Sequence, residues 1–153
     1  MVRYSPARRA TVAGGVALRE VSDYSRGLIA STGATRGPGD RITEARNLLI
    51  LAARALDMAV VQEALSGATW EQIAEARGLS ADECRARYEA TVVQWANPSL
   101  PAVEAIFGDL TLELSYDADP GLTAETLDDW LTRHAEPWEL DAGPTPVQDA
   151  TRP

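Results

Sequence analysis

The chain has 153 residues, enough for one domain with a hydrophobic core, and a formal net charge of -9 at pH 7. A lone cysteine, Cys84, excludes an intramolecular disulfide, and one cysteine with one histidine, His134, excludes a Cys/His zinc site built by this chain alone. No run approaches ~18 consecutive apolar residues, so no membrane-spanning helix is predicted.

All 14 basic residues are arginine. With abundant Ala, Gly and Pro, this points to a high-GC genome, and it weakens any reading of a given Arg as chosen over Lys for its geometry. Charge is uneven along the chain. Arg against Asp plus Glu runs 6 to 3 over residues 1–40, 6 to 8 over residues 41–98, and 2 to 12 over residues 99–153. A basic head and an acidic tail would attract nucleic acid at one end and repel it at the other. Arg8-Arg9 precedes an apolar patch from Ala10 to Leu18, but Arg19 and Glu20 interrupt it and no cleavage site follows. No export signal is read, and a cytoplasmic location is expected.

In chain order, residues 1–14 lack an apolar period and predict a loose arm. Val16, Leu18, Val21, Tyr24, Leu28 and Ile29 suggest a helix over 16–30, and residues 31–40 are a loop by composition. A long helix follows from Ile42 to Leu65, with Asp40 as N-cap. Ile42, Ala45, Leu49, Ala52, Leu56, Ala59 and Val60 repeat at three and four residues and predict its buried face. Leu48, Leu51 and Val61 widen that face, so the helix is expected to be buried on more than one side, as the central beam of the domain. Ser66-Gly67 ends it.

The most informative stretch runs from Thr69 to Tyr88. Thr69 is placed to cap a short helix near Gln72, and Gly78 can end it in a left-handed conformation. Leu79 plugs the turn. Ser80 restarts the chain, and Glu83 three residues on completes a capping box. Cys84 and Tyr88 lie one turn apart on the inner face of the second helix, which is predicted to continue through Trp95 until Asn97-Pro98 breaks it. This is the internal pattern of a helix-turn-helix.

The run Gly67-Ala68-Thr69-Trp70-Glu71-Gln72-Ile73-Ala74 followed by Gly78-Leu79-Ser80 resembles the helix-turn-helix of small actinobacterial DNA-binding proteins and, more distantly, region 4 of sigma factors. The resemblance covers about a third of the chain when the preceding long helix is included. It implies that the second helix is a recognition helix, with Ser80, Ala81, Asp82, Arg85 and Glu89 on the outward face. That family usually places polar or basic residues there; this chain places Asp82 and Glu89.

Further on, Pro101 to Phe107 suggests a short helix. Asp109 to Tyr116 alternates apolar and polar like a strand that lacks a partner. Thr123 is the expected cap of a helix from Ala124 to His134, and disorder is expected from Ala135 onward. The expected organisation is thus a flexible arm with a short helix (1–40), a helix-turn-helix core (41–97), an acidic helical extension (98–141) and a disordered tail (142–153).

On the outward face, Arg85 is the candidate for a guanine contact; equally, it can pair with Glu89 one turn on. Gln72 and Arg77 are candidates for phosphate contacts or ordinary surface, and Arg3, Arg8 and Arg9 for a minor-groove arm or a merely soluble terminus. Trp70 and Trp95 read as core aromatics. Catalytic patterns are lacking. Asp128 and Asp129 diverge on a helix, Asp109, Asp117 and Asp119 lack the spacing of a calcium loop, and no phosphate-binding glycine pattern occurs. The sequence therefore predicts an all-α protein with no catalytic residue, metal or cofactor. The expected function is a DNA-binding regulator acting on double-stranded DNA as a homodimer through Gln72, Ser80, Ala81, Asp82, Arg85 and Glu89. The alternative is a module that keeps the helix-turn-helix core but binds a protein partner through acidic surfaces.

Overall fold

Ser5 and Pro6 start the first helix of a computed structural model that describes residues 4–97, 119–140 and 143–152. The Ser5 hydroxyl accepts the Arg8 N–H, and Pro6 fits the first helical position because its missing N–H would have had no partner there. Helix α1 then runs Pro6–Ala30. Residues 6–14 are consequently not a loose arm: Ala10, Val12, Ala13 and Gly14 are buried. Within this helix Gly15 is a packing device. A Cβ on Gly15 would meet Leu127 Cδ1 at 2.9 Å, so glycine there lets a later helix approach the α1 backbone.

The loop after α1 is held by Arg36, whose Nε donates to both Glu44 carboxylate oxygens at 3.0 and 2.9 Å. Gly39, at φ 87°, caps helix α2, Asp40–Leu65. Asp40 is therefore the first helical residue rather than the N-cap, and its carboxylate turns back to accept the Gly37 N–H. Helix α2 packs along α1 through Ala10, Ala13, Ala17, Met58 and Val61, with Glu20 opposite Arg54. Burial holds the Glu20 carboxyl above its ordinary range, and Arg54, with Arg19, works against that rise.

The predicted face of the beam is turned the other way. Ile42 is 76% exposed, Leu49 71% and Leu56 44%, and Ala45, Ala52 and Ala59 are exposed with them. The side facing α1 carries Leu48, Leu51, Ala55, Met58 and Val61, together with the buried Arg54. Of the predicted stripe, Val60 alone is buried.

Helices α3 (Trp70–Arg77) and α4 (Ala81–Ala96) follow and pack on α2 through Val60, Ile73, Ala74, Cys84 and Tyr88. Residues 98–118, which include the expected Pro101–Phe107 helix and the strand-like Asp109–Tyr116, lie outside the described residues.

Helix α5 spans Pro120–His134. Its cap is Asp119, which accepts the Leu122 N–H at 3.0 Å, with Pro120 in the first turn; Thr123 lies within the helix. Ala124 and Leu127 close a third cluster with Val12 and Val16 of α1. The expected disorder after Ala135 gives way to a 3₁₀ turn at Pro137–Glu139 and helix α6, Pro146–Thr151. Asp128, 2% exposed, accepts the Val147 and Gln148 N–H groups at 2.9 and 3.0 Å and so caps α6 from α5. Tail and body are joined by a buried carboxylate. Among the described residues there are six α-helices and no strand, and none of these helices is long and apolar enough to cross a membrane.

Truncation after Leu140 removes both donors to Asp128 and uncovers the cluster around Leu127. It should cost about 2–3 kcal/mol, or roughly 5–10 °C in melting temperature. An unchanged melting curve would show that α6 contributes nothing to the fold.

Candidate functional site

The α3–α4 pair is built by its capping chemistry. The Thr69 hydroxyl accepts the Gln72 N–H at 3.3 Å while Gln72 Oε1 accepts the Thr69 N–H at 2.9 Å. Gly78, at φ 68°, ends α3, and the Leu79 N–H returns to the Ala74 carbonyl. Ser80 and Glu83 repeat the reciprocal cap at α4: the Glu83 N–H donates to Ser80 Oγ, and Glu83 Oε2 accepts the Ser80 N–H at 2.8 Å. The Ser80 hydroxyl and N–H hold the Glu83 carboxyl below its ordinary range. The connection between the helices is thus three residues, Gly78, Leu79 and Ser80.

A polar network beneath the pair fixes how it sits. The Tyr88 hydroxyl, on a side chain 0% exposed, donates to Asp57 Oδ1 of α2 at 2.7 Å. The Tyr88 hydroxyl oxygen in turn accepts from Arg77 Nη2 of α3 at 2.9 Å. Arg77 and Arg87 both lie against the Tyr88 ring, their guanidinium carbons 5.9 and 5.3 Å from its centroid. Arg87 Nη2 stands 3.8 Å from Asp57 Oδ1. Burial first, then the bond to Asp57, raises the Tyr88 pKa above the ordinary tyrosine value. Arg77 is in turn pushed further up by its bond to the hydroxyl. One hydroxyl therefore ties three helices together.

Of the six residues predicted to contact DNA, Asp82, Arg85 and Glu89 lie exposed on α4, at the three- and four-residue spacing of one face. Gln72 and Ser80 are exposed, but their side chains are engaged in the two capping boxes. Ala81 is half-buried against the Ile73–Cys84 cluster, so it does not belong to the outward face. Arg77 is a link to Tyr88 instead of a phosphate contact. Arg9 Nη2 donates to the Trp95 carbonyl at 2.9 Å and its guanidinium lies over the Trp95 ring, so that arginine is folded onto α4. Arg8 lies within α1, and Arg3 is outside the described residues. Trp70 and Trp95 pack against the clusters as expected.

The outward surface of the pair is acidic. Glu71 and Glu75 on α3 and Asp82, Glu83 and Glu89 on α4 are exposed, against exposed Arg85 and Arg87. Arg87 already faces Asp57 and Tyr88. Arg85 lies close enough to Glu71 to help lower that carboxyl's pKa, after the larger effects of its own backbone N–H and the Thr69 hydroxyl. Elsewhere, a shallow cleft of about 400 Å³ is lined by Arg19, Glu20, Asp23, Tyr24, Leu51 and Trp130. It contains none of the predicted residues, and the Trp130 indole N–H donates to Asp23 across it. Comparison with protein-family models, with curated proteins and with solved structures returned no match.

Tyr88→Phe keeps the ring and removes the hydroxyl, leaving Asp57 short of a donor. It should destabilise the protein by about 1–3 kcal/mol with helix content unchanged. The pH dependence follows from the raised pKa. The folded state holds the phenolic proton to higher pH than the unfolded chain, so this stability is complete below about pH 10 and is lost as pH rises through the folded value. The wild type should therefore lose stability more steeply above about pH 10 than Tyr88→Phe. Parallel alkaline unfolding curves would contradict the network.

Proposed function

We propose that α3, the three-residue turn and α4 form a helix-turn-helix that serves as an acidic docking module for a protein partner with a basic surface. The observation that supports this reading is the charge on the outward side: four exposed carboxylates outside the capping boxes, Glu71, Glu75, Asp82 and Glu89, against Arg85 and Arg87. Duplex binding draws most of its affinity from neutralising phosphates, and a face of this sign repels them. Of the nearby arginines, Arg77 and Arg87 engage Tyr88 and Arg9 engages Trp95. A partner presenting Arg or Lys would meet complementary charge on a rigid helical face, which sets register and encounter rate.

DNA reading is the second function, favoured by one feature. Arg85 stands exposed at the middle of the outward stripe of α4, where a recognition helix presents a base contact. In that case Arg85→Ala should cost about 1–3 kcal/mol on a preferred site and leave stability unchanged.

Titration with two fluorescent probes separates the readings: an arginine-rich helical peptide and a random-sequence duplex, each at about 20 and 200 mM salt. The docking reading predicts salt-sensitive binding of the peptide, weakened at least about tenfold when Glu71, Glu75 and Glu89 are changed together to Gln, and no duplex binding. Enrichment of a defined sequence from random duplexes by the folded protein would replace it with the DNA reading.

A further inference from the structure

Ile42, Ala45, Leu49, Ala52, Leu56 and Ala59 follow one another at intervals of three, four, three, four and three, all on the side of α2 turned away from α1. Such a stripe is the seam of a two-helix coiled coil, and none of its six residues is charged. Over 18 residues it extends about 26 Å. We infer that this stripe binds the same stripe of a second copy, with the two α2 helices antiparallel about a two-fold axis between Leu49 and Ala52.

Size and charge choose both the occupant and the direction. In the antiparallel register whose residue numbers sum to 101, Ile42 meets Ala59 of the second copy, Ala45 meets Leu56, and Leu49 meets Ala52. Every large side chain then faces a small one, which fills the seam and lets the backbones approach. A two-fold axis makes a surface that complements itself sufficient, and this stripe does so through its own order of large and small residues. The parallel register would stack alanine on alanine at three levels. It would also set Arg41 of one copy beside Arg46 of the other, since both are exposed and flank the stripe five residues apart. The antiparallel register instead sets exposed Arg41 level with position 60 of the second copy, about 4.5 Å along the axis from exposed Glu63 and within reach of a long arginine side chain, at both ends of the seam.

The Asp109–Tyr116 run, with Leu110, Leu112 and Leu114 alternating, is the competing occupant within the same chain. The interface is small beside those of permanent dimers, so a reversible equilibrium in the micromolar range is expected.

Sedimentation equilibrium of the full chain from about 1 to 200 µM should follow a monomer–dimer curve. Leu49→Glu, on the solvent side of one copy, should abolish the dimer while leaving the helix content and the monomer's melting temperature intact. Arg41→Glu should weaken association, and Arg41→Glu combined with Glu63→Arg should restore it. For direction, Ala45→Cys mixed with Leu56→Cys should cross-link under mild oxidant, and Ala45→Cys alone should not, because the antiparallel register holds its two copies too far apart. A chain that stays monomeric throughout, or a dimer indifferent to Leu49→Glu, overturns the proposal. Self-cross-linking of Ala45→Cys overturns the antiparallel arrangement. A monomer destabilised by Leu49→Glu assigns the stripe to the chain's own residues and overturns it as well.

Discussion

The Asp57 carboxylate, buried between α2 and α4, is the constraint on which the arrangement of the helices depends. A buried carboxylate is costly unless donors surround it, and here Tyr88 donates at 2.7 Å with the Arg87 guanidinium 3.8 Å away. Tyr88 in turn must accept as well as donate, and Arg77 at the last turn of α3 supplies that donor. Hydrophobic packing of Val60, Ile73, Ala74 and Cys84 would tolerate several registers of α3 and α4 against α2. The network accepts the one in which the α3 terminus, the α4 ring and the α2 carboxylate converge. The outward face of α4 is thereby fixed relative to the scaffold helix, as a docking surface requires.

The parts of the fold that were legible in the sequence are those set by local chemistry. Thr69 with Gln72, Gly78, and Ser80 with Glu83 each act within a few residues, so their spacing alone marked the ends of α3 and α4. Other local signals were present but outweighed. Ser5-Pro6 and Asp119-Pro120 are ordinary helix starts, yet the first was masked by the lack of an apolar period over residues 1–14 and the second by the nearer Thr123. Gly15 is tolerated inside α1 because Leu127 needs the space, a reason that lies more than a hundred residues away.

What periodicity could not decide was which side of α2 faces inward. Both sides are apolar, and the one that faces α1 includes Arg54, a residue that pattern alone assigns to solvent. The more regular stripe lost to the less regular one, because a strict three-four alternation is the signature of a helix–helix seam and a globular interior does not require it. The same limit applies to Arg77, Asp57 and Asp128. Each reads as surface in sequence, and each is satisfied by a partner more than ten residues distant. At the outward face Asp82, Arg85 and Glu89 are exposed, as their helical spacing alone indicates. Ala81 failed because the first turn of α4 already packs against the core.

The acidic reading of the outward face presupposes that α3 and α4 are locked to the scaffold through Asp57 and Tyr88. A double-mutant cycle measures that lock directly, with stabilities of wild type, Asp57→Ala, Tyr88→Phe and the double variant obtained by denaturant unfolding. Coupling of at least about 1 kcal/mol is predicted, because either single change leaves the other partner buried and unsatisfied. Additivity within about 0.3–0.5 kcal/mol would mean that the two groups act independently and would contradict the account.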